Sequence, residues 1–149
     1  MRRVVVTGVG ALTPIGNNLQ AYSEALQNGV SGANTITHFD ASNFKTPFAC
    51  EVKNFPADIL DRREARRMDL YSQYAMIAAH EAIEKSGLDL EKIDLDRSGV
   101  IWASGIGGLR SLEKEIEDYS TGSGIPRYNP FMIPKMIPDL AAGLISMKY

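Results

Sequence analysis

The chain has 149 residues, 44% of them hydrophobic and 23% charged, with a formal net charge of -2. That length can carry one domain with a real core, and the near-neutral charge excludes a generally basic nucleic-acid binder and a disordered acidic tail. The longest apolar runs fall far short of a membrane span, and the single cysteine, Cys50, excludes an internal disulfide framework and fits a reducing cytoplasm.

In chain order, Val4-Val5-Val6 is a β-favouring run that empties into Thr7-Gly8-Val9-Gly10. It is too short for a signal peptide and is expected to be a strand. Thr13-Pro14-Ile15-Gly16 is turn chemistry, and Asn17 is placed to cap a helix with Gln20 at the capping-box position. Leu19, Tyr22 and Leu26 form the expected buried stripe of that helix, which Gly29 ends. Residues 30 to 60 are irregular, with one strand expected near Phe48 to Val52. Asp61 to Asp69 is the one dense charge cluster, and a long helix, about Asp69 to Lys85, follows it and closes at Ser86-Gly87. Ala75, Ala78, Ala79 and Ala82 spread small residues over its surface, which predicts neighbours on more than one side.

After a polar connection from Asp89 to Asp96, Val100-Ile101-Trp102 runs into Gly105-Ile106-Gly107-Gly108. Leu109, Leu112, Ile116 and Tyr119 then recur at helical spacing, with Glu113, Glu115, Glu117 and Asp118 on the outer face. This repeats the strand, glycine turn and helix of the N-terminus. Two such units predict an α/β fold on a predominantly parallel sheet, with ligands gathering beyond the carboxyl ends of its strands. Ser120 to Gly124 is expected to be a flexible loop. Pro130, Pro134 and Pro138 recur every four residues and forbid one continuous helix. A bent segment is expected there, then a helix with Pro138 at its first position and Asp139 to Met147 as its body.

Few residues suggest chemistry. The first glycine turn lacks the third glycine of a dinucleotide fingerprint, the second has the wrong spacing, and no Gly-Lys-Ser/Thr loop exists, although a small nucleotide-binding α/β domain stays an alternative. Cys50 sits in a strand with neither His38 nor His80 at a motif spacing, and is expected to be an inert core residue. Both histidines are expected to be structural or solvated, and no cluster has metal-ligand spacing. Arg62, Arg63, Arg66 and Arg67 recur at i, i+3 and i+4, so at least three share a helical face. They form either a solvated turn neutralised by Asp61, Glu64 and Asp69, or a docking point for an acidic partner or phosphate.

Five stretches carry a resemblance: RRVVVTGVGALTPIG, SGANTITHFDASNF, REARRMDLYSQYA, ASGIGGL and NPFMIPKMIPDLAAGLISMKY. In this order and spacing the sequence resembles the opening part of the β-ketoacyl-[acyl carrier protein] synthases of the elongating type, synthase II. The resemblance implies the thiolase-like layered α/β fold, with residues 1–149 an incomplete N-terminal portion, in a cytoplasmic homodimer. It implies decarboxylative Claisen condensation of an acyl thioester with malonyl-carrier protein in fatty-acid elongation, without cofactor, metal, nucleic acid or membrane. The nucleophilic cysteine is expected shortly beyond Tyr149 and two histidines later still, so no catalytic residue is expected here and the chain alone is expected to be inactive. By the same resemblance Arg63, Arg66 and Arg67 receive the acidic face of the acyl carrier protein. Ile106 lines the acyl pocket, and Phe131 borders the pocket of the other subunit. A non-catalytic docking partner of such an enzyme is a reading from a different class.

Overall fold

The computed structural model describes residues 3–122 and 125–149. Its elements are helices α1 (Leu19–Gln27), α2 (Arg62–Ala65), α3 (Leu70–Ser86), α4 (Leu109–Thr121), α5 (Met132–Met136) and α6 (Leu140–Lys148), and strands β1 (Ala33–Thr35) and β2 (Phe48–Cys50). They gather into two compact units. One runs to Pro56 and includes His80–Gly87; the other comprises Ala57–Ala79 and Leu88–Tyr149.

In the first unit, the last turns of α3 anchor the N-terminal turns. Gly8 is needed because a Cβ there would lie 2.0 Å from the Ala82 carbonyl oxygen. The backbone N–H groups of Ala11 and Leu19 donate to the Glu81 carboxylate at 2.9 Å, and Lys85 pairs with it from one helical turn away. Burial pushes the Glu81 carboxyl up, but the Lys85 and backbone hydrogen bonds outweigh it and hold the group below its ordinary value. Helix α1 is capped by Asn18, whose side chain accepts from the Ala21 N–H at 2.8 Å. Asn17, expected as the cap, instead donates its amide to the Lys53 and Asn54 carbonyls. Ala25 is the buried residue of α1, while Leu26, expected in the buried stripe, is exposed.

Strands β1 and β2 pair antiparallel, Ala33 opposite Cys50 and Thr35 opposite Phe48. The strand expected near Phe48 is therefore present, but Cys50 is exposed rather than in a core, because this two-stranded ribbon leaves it at an open end. Beyond it, Glu51 accepts from the N–H and hydroxyl of Thr37, which lowers its carboxyl pKa, and His38 lies 3.8 Å away.

The parallel sheet expected from Val4–Val6 and Val100–Trp102 is not formed among the described residues; the one ladder is β1 with β2. Strands of a parallel sheet take their hydrogen bonds from neighbouring strands. Neither segment has one here, and Val4, Val6 and Ile101 are left 92%, 82% and 101% exposed.

The second unit holds most of the core: Leu60, Met68, Ala75, Met76, Ile77, Ala141 and Ile145 are buried. Helix α3 opens at Leu70 and ends at Ser86 before Gly87 at φ 66°, as its sequence predicts. The prolines divide the C-terminal stretch as expected, with a shift. Pro134 falls in the first turn of α5, where a missing N–H breaks no helical bond, and α6 begins at Leu140, two residues after Pro138. The Tyr71 hydroxyl donates to the Ile137 carbonyl between these helices. Of the expected loop at Ser120 to Gly124, Ser120 and Thr121 belong to α4, and Ser123 and Gly124 lie outside the described residues.

Candidate functional site

The arginine cluster begins with a helix of four residues. Asp61 starts it: its Oδ1 accepts from the N–H groups of Arg63 and Glu64 at 2.8 and 3.0 Å. The turn continues past Ala65 through Arg67 N–H to Glu64 O and Met68 N–H to Ala65 O, so Arg63, Arg66 and Arg67 follow one another along a continuous coil. Met68 plugs this coil into the core, while all three arginines stay exposed.

Two of the three acidic neighbours are engaged elsewhere, and Glu64 stays exposed on the same coil. Asp61 is engaged with backbone N–H groups, and Asp69 accepts from the Ser111 hydroxyl at 2.6 Å and from the Tyr71 N–H. Among the described residues none of the three guanidiniums has a carboxylate within 4.0 Å. Arg67 instead lies over the Phe131 ring, 5.1 Å from its centroid. Exposed guanidiniums held in register without a close carboxylate partner suit an acidic partner.

The same contact joins two residues given separate roles by the sequence. Arg67 and Phe131 both line an open groove of about 590 Å³ floored by Met68, Leu140 and Leu144. Ile106 does not belong to that groove. It sits 67% exposed at the tip of the second glycine turn. That turn is packed on the chain's own backbone: the Gly108 N–H donates to the Met136 carbonyl, and Cβ atoms at Gly107 and Gly108 would lie 2.2 and 2.1 Å from the carbonyl oxygens of Met136 and Lys135. The space a phosphate would need beside those glycines is filled by carbonyl oxygens, which repel anions. This disfavours the nucleotide alternative on physical grounds.

Sequence reasoning missed Gln73, whose amide Nε2 donates to the carbonyls of Ala65 and Met68 at 3.1 and 3.3 Å and so closes the arginine coil from below. It also missed the cap at Asp61, although Asp61 with Glu64 three residues on is a readable N-terminal signal.

The family described as "Beta-ketoacyl synthase, N-terminal domain" matches residues 1–149. The chain belongs to the β-ketoacyl synthase family. Among curated relatives, the 3-oxoacyl-[acyl-carrier-protein] synthase 2 of Coxiella burnetii (strain RSA 493 / Nine Mile phase I) is 44% identical over 149 residues, 99% of this chain and 36% of that protein. The protein of the same name from Synechocystis sp. (strain ATCC 27184 / PCC 6803 / Kazusa) is 45% identical over 147 residues, 98% of this chain and 35% of its own length. The chain thus spans about a third of the length of the synthases it matches. Among solved structures, a ketosynthase in complex with a type II PKS acyl-carrier protein, bound to the hexaketide, superposes with a TM-score of 0.75 at 28% identity, covering 100% of this chain and 39% of that one. A β-ketoacyl synthase from Burkholderia phymatum STM815 gives 0.74 at 27% identity, over 99% and 36%. The fold is therefore that of the N-terminal portion of thiolase-like ketosynthases, although the described residues of this segment pair only two strands of their own.

Proposed function

We propose that this chain is the N-terminal part of a 3-oxoacyl-[acyl-carrier-protein] synthase of fatty-acid elongation, and that its own contribution is to dock the carrier and shape the acyl pocket. In the condensation, an acyl group held on a cysteine is attacked by the carbanion that malonyl-carrier protein forms on losing CO₂. The cysteine and histidines of that chemistry are proposed to lie in the remainder of the synthase, so the 149 residues alone are inactive. Cys50, a free cysteine exposed at a ribbon end, is proposed to take no part in that chemistry.

The observation that carries this reading is the arginine coil: three exposed guanidiniums in fixed register, none with a carboxylate within 4.0 Å among the described residues, with Asp61 and Asp69 turned to backbone N–H groups. The structural relative solved with an acyl-carrier protein supports the choice of partner. Ile106, prominent on a rigid turn, is proposed to line the acyl pocket, and Phe131 to border it from the other subunit of a cytoplasmic homodimer. No described helix is long and apolar enough to cross a membrane. The exposed valines at 4–6 and Ile101 support a larger sheet in the complete synthase, with neighbours to cover them.

The test is a triple substitution, Arg63, Arg66 and Arg67 each to Glu, in the complete synthase. KM for carrier-linked substrate is expected to rise steeply, with turnover of a small carrier-free thioester nearly unchanged. Exposed charges contribute less than about 1 kcal/mol each to folding. Proportional loss of both activities would return the cluster to a solvated turn.

A further inference from the structure

Resting on the carrier-docking reading, we propose that Gln73 is a positioning residue for the arginine coil: its amide, working with the Asp61 cap, fixes the spacing at which Arg63, Arg66 and Arg67 meet an acidic partner. The coil cannot hold that spacing by itself. A helix of four residues has one turn, and forming one turn in water is unfavourable because several backbone dihedrals are fixed for a single hydrogen bond. Something outside it must supply the order.

Two side chains do so from opposite ends. Asp61 takes the first free N–H groups, those of Arg63 and Glu64. Gln73 takes the carbonyls of Ala65 and Met68, which bracket Arg66 and Arg67. The Met68 carbonyl stands past the last turn, where such groups lack helical partners, while the Ala65 carbonyl accepts from Gln73 in addition to the Met68 N–H. Gln73 is half-buried on α3, a helix of 17 residues whose Ser72, Ala75, Met76 and Ile77 are buried. It therefore links an exposed, intrinsically weak turn to the most firmly packed element of its unit. Arg67 gains a further hold from the Phe131 ring. Ordering the coil before the partner arrives removes an entropic cost that binding would otherwise meet.

Gln73 is neutral, which makes the proposal separable from electrostatics. In the complete synthase, Gln73→Met keeps length and charge but loses both donated hydrogen bonds. KM for carrier-linked substrate is expected to rise about fivefold, the equivalent of one lost capping interaction. Activity on a carrier-free thioester should be unchanged, and the salt dependence of KM should persist because every arginine remains. Asp61 supplies a second pair of variants at an exposed site, and they decide the matter if Gln73→Met does not fold. Asp61→Asn keeps a capping oxygen and removes a negative charge, so KM should stay level or fall. Asp61→Ala removes cap and charge together, so KM should rise although the surface has become more positive. Charge alone predicts that both Asp61 variants lower KM, and that outcome overturns the proposal. An unchanged KM in a folded Gln73→Met variant, or equal loss on both substrates, overturns it as well. The triple arginine variant run alongside separates the levels. If it binds carrier as the wild type does, the docking reading itself fails; if it loses the carrier while Gln73→Met does not, only the positioning role fails.

Discussion

Replacing Gly107 by Ala should be far more damaging than replacing Gly105, two residues earlier in the same glycine turn. Gly107 has φ +83°, a conformation that costs an L-residue about 1–2 kcal/mol. An added Cβ would also lie 2.2 Å from the Met136 carbonyl oxygen and 3.1 Å from the Pro138 nitrogen, so backbone must move. Overpacking of that kind typically costs about 1–3 kcal/mol, giving a total of roughly 2–5 kcal/mol for Gly107→Ala. Gly105 has no atom within 4 Å of a Cβ and no positive φ, so Gly105→Ala should be neutral or stabilising by up to about 1 kcal/mol, through the unfolded state. Urea unfolding of the two variants beside the wild type reads the difference directly. If both substitutions shift stability equally, within about 0.5 kcal/mol, the turn is a loose connector rather than a close-packed support for Ile106, and the reasoning fails.

Glu81→Ala should destabilise the protein by about 1–3 kcal/mol at pH 7, since the Ala11 and Leu19 N–H groups lose a charged acceptor. The folded carboxyl lies below its ordinary value of 4.5, so this stability is present in full above that pH and fades as pH falls through the lowered folded value. Urea midpoints of variant and wild type should thus converge in acid; a gap that stays constant from pH 7 to pH 3 would contradict the assignment. On the proposal that Ile106 lines the acyl pocket, Ile106→Phe in the complete synthase should shorten the accepted acyl chain while malonyl decarboxylation continues, because the added bulk takes space the chain needs. Equal losses with short and long acyl donors would remove Ile106 from the pocket.

Local chemistry made much of this legible in sequence. The end of α3 at Gly87, the helical spacing from Leu109, and the division of the C-terminal stretch by its prolines all follow from rules acting within a few residues. The strands at Val4–Val6 and Val100–Trp102 failed for a non-local reason: β-favouring residues make a ladder only when another strand lies beside them, and among the described residues none does. Cys50 was misplaced because a short apolar run does not reveal that its ribbon stops at two strands. At the candidate site the arginines were visible as a pattern. What holds them was not, since Gln73 reaches Ala65 from eight residues away and Phe131 meets Arg67 from a distant segment.

The most direct test of the docking claim is the dissociation constant of the complete synthase for acyl carrier protein, measured from low to high salt, for wild type and for the triple arginine-to-glutamate variant. Exposed charge pairs are screened with a Debye length of about 10 Å at 0.1 M salt, so wild-type binding should weaken steadily as salt is added. The variant should bind far more weakly at low salt and should not weaken further as salt rises. Wild-type affinity that ignores salt, or a variant that binds as tightly as the wild type, would contradict the assignment of Arg63, Arg66 and Arg67 as the carrier dock.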